Sequence, residues 1–325
     1  MANDFYTPEQ AALVAAKLAS EDAFLSALVS RNYADDLMGG GKGGKPVAIK
    51  LPTSLIARER GIDDITSSIT LDEITETMQT VTLDRKHDYS AVALSEADLS
   101  LNITDFSAQV LKPQAEAIVD TLEHKVASAL LGVDEPTTPI GTYEAAAPER
   151  FLTKLRKRLR DQGVNANDSG FQLVVGTGVY ADLVDAQAIS DASASGSTAA
   201  LREAGVGRVR GFNVIESTRV GEDEIVAFHR DAVTLVTRAP VVPQGAAFGA
   251  MVSEGGFQLR YIRDYDADKT ADRSLVSTFS GVGILPTFKI ERDYETRAVT
   301  TTELENGGVI HIADVRAAAG DDADE

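Results

Sequence analysis

The sequence has no cysteine, and its 31 basic residues are outnumbered by 50 acidic residues. The absence of cysteine excludes disulfides, thiolate catalysis and cysteine-ligated zinc or iron–sulfur sites. The formal net charge of −19 disfavours extensive binding to nucleic acids or anionic membranes, because like charges repel. No apolar run approaches the roughly 18 residues that span a bilayer, and the first residues lack the basic start of a signal peptide. We therefore expect a soluble intracellular protein with no membrane partner.

The signatures of common catalytic and metal sites are also missing. The sequence has no Gly-x-Ser-x-Gly elbow, and Gly43 follows Lys42 where a phosphate-binding P-loop needs Ser or Thr. The histidines occur singly and none has the spacing of a metal-ligand pair; they are His87, His124, His229 and His311. We predict structural roles for these histidines, no enzymatic activity, and no resident cofactor or metal.

One glycine pattern leaves a nucleotide-binding alternative open. Gly176, Gly178 and Ala181 follow a predicted buried strand and begin a predicted helix, which is the context of a dinucleotide fingerprint. However, residues 190–200 are rich in Ser, Ala and Gly, where that fingerprint requires a strand ending in a ribose-binding carboxylate. A simple strand–turn–helix is therefore the favoured interpretation.

Two charged segments can be interpreted either as ordinary solvated surface or as functional sites. Asp264, Asp266, Asp268 and Asp272 have calcium-loop spacing, but Lys269 and Leu275 exclude an EF-hand, which leaves a solvated acidic loop or a looser cation site. Six cations occur on the predicted helix 148–162: Arg150, Lys154, Arg156, Lys157, Arg158 and Arg160. For this helix we favour a solvated face that pairs with acidic neighbours, including those of an adjacent subunit, over nucleic-acid contact.

Residues 46–89 are predicted to be extended but lack a core of their own. Apolar residues alternate with polar residues in short runs, such as Val47, Ile49 and Leu51, which is typical of strands wetted on one face. An isolated two-stranded ribbon is marginally stable in water, so this one must lie on another surface. No later segment is an obvious lid. The sequence therefore suggests that the surface belongs to another copy of the protein.

The flanking segments are predicted to be mainly helical before the ribbon and mixed after it. Pro8 favours a first helix, a second short helix is predicted over 20–29, and the glycines of 39–44 form a hinge. The longest helix is predicted over 104–131, kinked at Pro113, with Lys112, Glu116, Asp120 and Glu123 away from its apolar stripe. Strands dominate from residue 208 onward, and a hairpin is predicted over 298–312 with its turn at Asn306 and Gly307.

Taken in order, these segments resemble the major capsid (coat) protein of tailed bacteriophages. The resemblance covers most of the chain and rests on the stretch LNITDFSAQVLKPQ at 101–114, LVVGTGVYADL at 173–183 and GVGRVRGFNVIES at 205–217. It implies an α+β fold with an N-terminal arm (1–45), an extended β-hairpin loop (46–90), and a peripheral domain (91–141 and 253–300) that contains a spine helix. An axial domain (142–252) and a C-terminal hairpin with an acidic tail (301–325) complete the implied organisation.

The resemblance also implies a function and a set of partners. The chain would assemble as pentamers and hexamers into an icosahedral shell around double-stranded DNA, without sequence-specific binding, in the virion after assembly in the host cytoplasm. Scaffolding, portal or decoration proteins are further implied partners. Arg58, Arg60, Asp63 and Asp64 would form the loop tip that contacts a neighbouring subunit. A bacterial nanocompartment shell of the encapsulin type shares the fold and is the alternative.

Overall fold

The computed structural model describes residues 8–22, 24–31, 47–51, 55–57, 59, 62, 66, 68–69, 71, 77–81, 87–95, 106–164, 170–186, 207–246, 248–254, 256–266, 271–296 and 299–317. Its contacts divide the chain into two compact units. The first comprises Met1–Val47, Val81–Ala129 and Thr234–Gly283, and the second comprises Ala48–Thr80, Leu130–Val233 and Ile284–Glu325. The assignment of 142–252 as an axial domain stays a prediction.

The first unit is built on a five-stranded sheet. Its strands are β3 (Asp88–Ser95), β8 (Val233–Arg238), β9 (Phe248–Glu254), β10 (Phe257–Asp266) and β11 (Ala271–Ile284). They run in the order β3-β11-β10-β9, and β8 pairs with β11. The β10–β11 pair is antiparallel, which agrees with the prediction that strands dominate from residue 208 onward. Tyr261, Phe257 and Val276 are completely buried in this unit.

The predicted spine helix is interrupted near its start. A π-helical turn, Ser107–Leu111, precedes the α-helix α3 (Lys112–Leu131). Pro113 explains the change, because its ring cannot donate to the carbonyl of Gln109 and collides with it in a regular α-helix. The apolar stripe is confirmed, because four of its side chains are at most 2% exposed: Leu111, Ile118, Leu122 and Val126.

Two helices precede the ribbon, and both belong to the first unit. The helix α1 (Pro8–Asp22) begins at Pro8 as predicted, but the second helix is only the single turn α2 (Leu25–Leu28) rather than residues 20–29. Five alanines of α1 are at most 1% exposed: Ala11, Ala12, Ala15, Ala16 and Ala19. Their small side chains allow α1 to pack closely on β9 and β10.

The second unit has a mixed five-stranded sheet covered by helices. Its helices are α4 (Pro148–Asp161) and α5 (Thr177–Asp185), and its sheet strands are β4 (Phe171–Val175), β5 (Arg208–Val209), β6 (Phe212–Glu216), β7 (Ile225–His229) and β14 (Val309–Ile312). The order is β14-β7-β4-β6-β5, with β4 parallel to β6 and antiparallel to β7. Phe171, Leu173, Leu155 and Phe212 are fully buried in its core.

The predicted C-terminal hairpin is wrong. The strands on either side of Asn306 and Gly307 belong to different sheets: β13 (Val299–Leu304) pairs with β12 (Thr287–Arg292), whereas β14 joins β7. The Asn-Gly turn itself is present at residues 305–308. Burial explains the choice of partners, because Val309 and Ile310 are buried in the central sheet, whereas four of the six residues of β13 are exposed.

The predicted ribbon forms a separate two-stranded sheet. Its strands are β1 (Val47–Leu51) and β2 (Thr77–Val81), which pair only with each other within the described part of the chain. Residues 46–89 were predicted to be extended throughout, but neither Ile69 nor Leu71 lies in a strand. Among the described residues, no helix is long and apolar enough to cross a membrane.

Candidate assembly surfaces

The loop between β1 and β2 carries bare apolar side chains. Leu55, Ile62, Ile69 and Leu71 expose 48%, 102%, 76% and 87% of their surface, whereas Ile56 exposes only 7%. Isolated exposed apolar residues are ordinary, but four in one short segment indicate a surface that another molecule covers. The predicted contact residues Arg58, Arg60, Asp63 and Asp64 lie outside the described residues, so their role stays a prediction.

The N-terminal segment, in contrast, is fixed to its own unit by a buried carboxylate. Glu123 of α3 is 5% exposed and accepts hydrogen bonds from the backbone N–H groups of Phe24 (2.9 Å), Leu25 (2.6 Å) and Ser26 (2.9 Å). The hydroxyl of Ser26 donates a fourth bond, of 2.6 Å. The carboxylate therefore caps α2 from another helix, where unpaired N–H groups favour a negative charge.

The burial of Glu123 corrects the prediction that it lies away from the apolar stripe. On a helical wheel, Glu123 falls between Val119 and Ala127, which are both at most 4% exposed. This wheel position is the signal that could have identified it. Further along the segment, the carbonyl of Ser30 accepts a bond from the N–H of Leu235 at 2.9 Å, so the segment also joins β8.

Polar side chains of α3 hold this helix on the first sheet. Gln114 is 1% exposed; its Nε2 donates to the carbonyls of Ser90 (3.0 Å) and Ser274 (2.9 Å), and its Oε1 accepts from the hydroxyl of Ser274. Lys125 pairs with Asp88 at 2.8 Å near the start of β3. Side-chain bonds to both β3 and β11 fix the position of the helix, and sequence reasoning did not identify them.

A buried guanidinium marks the point where the loop rejoins the first unit. Arg260 is 8% exposed and donates from Nε to the hydroxyl of Ser277 (3.1 Å) and from Nη1 to the carbonyl of Val241 (2.8 Å). Its Nη2 lies 3.4 Å from Nε2 of His87. Burial, followed by the charge of Arg260, lowers the pKa of His87. A neutral His87 can accept from the guanidinium, which favours a structural role for this histidine.

The glycine pattern at Gly176 does not form a nucleotide site. The N–H groups of Gly176 and Gly178 donate to the carbonyls of Glu224 and Glu222 at 3.1 Å, so they are already bonded to the turn before β7. A side chain at Gly176 would collide with the carbonyls of Gly221 and Glu222. These glycines therefore allow the turn to pack on the start of α5, and the carbonyls of this turn and the carboxylate of Asp223 lie where a phosphate would have to bind.

The acidic hairpin between β10 and β11 neutralises two of its carboxylates internally. Arg263 pairs with Asp272 at 2.5 Å, and Nε of Arg273 donates to Asp264 at 3.0 Å. Two of the four carboxylates considered for a cation are thus bound to guanidinium groups, while Asp268 lies outside the described residues. No group of three His, Asp or Glu side chains in the described ranges is arranged to hold a metal.

One histidine forms a buried polar link in the second unit. Nδ1 of His311 lies 2.9 Å from the carbonyl of Val133, and Nε2 lies 2.5 Å from Oε1 of Glu224. The carbonyl can only accept, so Nδ1 must donate to it. The other oxygen of Glu224 accepts from the N–H of Gly221 at 2.6 Å. The pair joins β14, the turn before β7 and the segment after α3, so this histidine also has a structural role.

No protein-family model and no curated protein sequence matches this chain. Solved structures nevertheless share its fold. A chain from Mycobacterium phage Che8 is 16% identical, with a TM-score of 0.58 over 89% of this chain and 90% of that one. A chain in the capsid structure of the cyanophage P-SCSP1u is 13% identical, with a TM-score of 0.52 over 83% of each chain.

A third structure extends the same likeness. A chain of the mature capsid of bacteriophage PhiM1 is 11% identical, with a TM-score of 0.53 over 89% of this chain and 86% of that one. At such low identity, the likeness establishes the fold. The α+β fold implied by the resemblance to tailed-phage coat proteins is therefore confirmed: this chain has the fold of chains in phage capsid structures.

Proposed function

We propose that this chain is a major capsid protein that self-assembles into the icosahedral shell around a phage genome. The observation that carries the proposal is the fold, which is shared with phage capsid chains over more than four fifths of the sequence. Because the protein acts by building a shell, its functional sites are contact surfaces rather than catalytic centres. It is not an enzyme and needs no cofactor for this role.

The exposed loop supports assembly as the function. A two-stranded ribbon whose connecting loop carries four bare apolar side chains is poorly suited to an isolated subunit, since each exposed apolar group forgoes the free energy of burial. In the proposed shell, the loop 46–90 lies over a neighbouring subunit, and Arg58, Arg60, Asp63 and Asp64 contact that neighbour. Residues 91–141 and 253–300 form the peripheral domain, and residues 142–252 gather around the five-fold and six-fold axes.

The negative charge suits a container for DNA. A wall of chains that each carry −19 would repel the phosphate backbone, so the genome could be enclosed without binding tightly to the shell. The protein would work in the virion, after assembly in the host cytoplasm as pentamers and hexamers. Scaffolding, portal and decoration proteins are its proposed further partners.

The test is size-exclusion chromatography of the purified chain, followed by negative-stain microscopy. We expect rings or closed shells, alone or with partners from the same virus, and double-stranded DNA inside particles taken from virions. A chain that stays monomeric under all these conditions would contradict the proposal. Particles filled with a protein cargo would instead indicate an encapsulin-type compartment. Calorimetry against NAD and ATP is expected to show no heat, which would dispose of the nucleotide-binding enzyme.

A further inference from the structure

The helix α4 presents a strongly basic face to solvent. Its buried face consists of Phe151, Leu152, Leu155 and Leu159, all at most 4% exposed. On the opposite side of the wheel lie four exposed cations, which we call the basic face: Arg150, Lys154, Lys157 and Arg160. In a chain with a net charge of −19, such a concentration of positive charge is unusual.

Carboxylates in the described part of the chain neutralise this basic face only weakly. Lys157 pairs with Asp161 at 2.7 Å, and Arg150 lies 3.9 Å from Glu144. All four of these side chains are more than half exposed, and such pairs contribute little to stability. Within the described residues, no carboxylate pairs with Lys154 or Arg160. The basic face therefore keeps most of its charge for a partner.

The same unit carries a complementary acidic surface where three turns meet. We call this surface the acidic turn cluster. It consists of four exposed carboxylates: Asp134 and Glu135 after α3, Glu222 before β7, and Asp314 after β14. The turns are bonded to one another. Oε1 of Glu135 accepts from the N–H of Ala313 at 2.6 Å, and the carbonyl of Asp223 accepts from the N–H of Val315 at 3.0 Å.

The acidic turn cluster lies beside a groove in the surface of the same unit. Glu135 and Asp314 lie at a half-open groove of about 200 Å³ whose apolar lining includes Ile140, Phe151 and Val315. Among the described residues, the cation that pairs nearby is Arg316, which binds Asp182 and Asp223. No ion pair of the described chain involves Asp134 or Glu222. The cluster thus offers fixed negative charge beside an apolar groove.

We propose that the basic face of one copy docks on the acidic turn cluster of the next copy. Two different, complementary surfaces on one compact unit make a heterologous contact, which repeats from copy to copy and closes into a ring when the rotation allows it. Two chains of −19 repel each other as a whole, so a local opposite-charge contact is needed to steer and orient their approach. This inference rests on the shell-building function proposed above and names the contact that would form its rings.

The test is a charge swap with four proteins. Lys154→Glu with Arg160→Glu reverses the basic face, and Asp134→Lys with Glu222→Lys reverses the acidic turn cluster. None of these side chains forms an ion pair among the described residues, so each variant should fold, which a thermal melt of the free subunit checks. A third variant carries all four changes. Lys17→Glu with Lys112→Glu is the control for the basic-face reversal, because it makes the same net charge change as that reversal at exposed positions of the first unit.

We expect each two-site reversal to lower the yield of assembled material by roughly tenfold or more, because like charges then face each other. The four-site variant should recover most of that yield, and the control should assemble like the wild type. If the reversals assemble normally, or the four-site variant recovers nothing, the inference is wrong. Normal assembly combined with loss of DNA from particles would mean that the basic face binds nucleic acid, and it would also overturn the inference. If the wild type itself never assembles, the proposed function fails instead.

Discussion

The N-terminal segment 8–31 and the loop segment 55–71 lie on either side of a glycine-rich stretch, and they differ in how they bury apolar surface. The first packs an alanine face on its own sheet, and Glu123 caps its second helix. The second exposes Leu55, Ile62, Ile69 and Leu71. Segment 8–31 packs within its own unit, whereas segment 55–71 presents apolar side chains that the described chain does not cover.

This difference separates folding from assembly. Altering side chains that are buried within the subunit should lower its stability, whereas altering the exposed apolar side chains of the loop should affect only assembly. The resemblance to coat proteins implied an N-terminal arm (1–45) and an extended loop (46–90). The structure assigns the first to the fold, because a buried carboxylate with four donors holds it in place. Four experiments test this division, and they follow in order of expected effect.

Deleting residues 58–64 should abolish assembly while leaving the subunit folded. The deletion removes the predicted contact residues and Ile62, whose side chain is fully exposed. Chromatography would report assembly, and circular dichroism with a thermal melt would report folding. If the deleted chain fails to fold, the loop packs within its own subunit, and the contrast between the two segments disappears.

Replacing Glu123 with Ala should lower the free energy of unfolding by about 3 kcal/mol, because buried N–H donors at α2 lose their charged acceptor. Glu116→Ala on the same helix is the matched control, since its side chain is half exposed and pairs weakly with Lys112. Denaturant unfolding of the free subunit measures both. Equal effects of the two substitutions would mean that the N-terminal segment does not contribute to the fold.

Two isoleucines of the loop should respond in opposite ways to the same substitution. Ile56→Ala should destabilise the subunit by about 2 kcal/mol, because Ile56 is 7% exposed, whereas Ile62→Ala should change its stability by less than about 0.5 kcal/mol. Ile62→Ala should instead reduce assembly. Unfolding and assembly assays on both variants provide the comparison. A larger loss of stability from Ile62→Ala than from Ile56→Ala would refute the division between the two side chains.

The smallest expected effect is a pH dependence at His87, where the loop rejoins the first unit. Burial and Arg260 lower the pKa of His87 in the folded state, so the unfolded chain takes up the proton more readily. The resulting stabilisation is complete above the unfolded pKa of about 6.5 and is lost as pH falls through the lowered folded pKa. Melts between pH 5 and 8 should show a shallower slope for His87→Asn than for the wild type. An unchanged slope would mean that His87 does not contribute to the pH dependence of stability.

The regular elements of the fold could be predicted because their periodicity is local. The apolar stripe of α3, the buried strand β4 and the β10–β11 pair follow directly from spacing and from Pro and Gly positions. The π-helical turn before Pro113 was predicted only as a kink. The Asn306–Gly307 turn was correct, but its strands join different sheets, because strand partners depend on burial across the whole chain rather than on the turn.

The contacts that matter most for the proposed role depend on distant residues. Glu123 caps a helix about 100 positions earlier in the sequence, so only its place on the wheel could have revealed its burial. The acidic turn cluster combines residues near 134, 222 and 314, which no local pattern connects. The basic face of α4, in contrast, was visible as a run of cations, and an adjacent subunit was among its predicted partners.

Hydrogen–deuterium exchange of the free subunit and of the assembled particle tests the central claim most directly. Residues 8–31 should be protected in both states, because they pack within their own unit. Residues 55–71 should exchange rapidly in the free subunit and become protected on assembly. Protection of 55–71 already in the free subunit, or rapid exchange there in the finished particle, would contradict the claim that this loop is covered by a second copy of the chain.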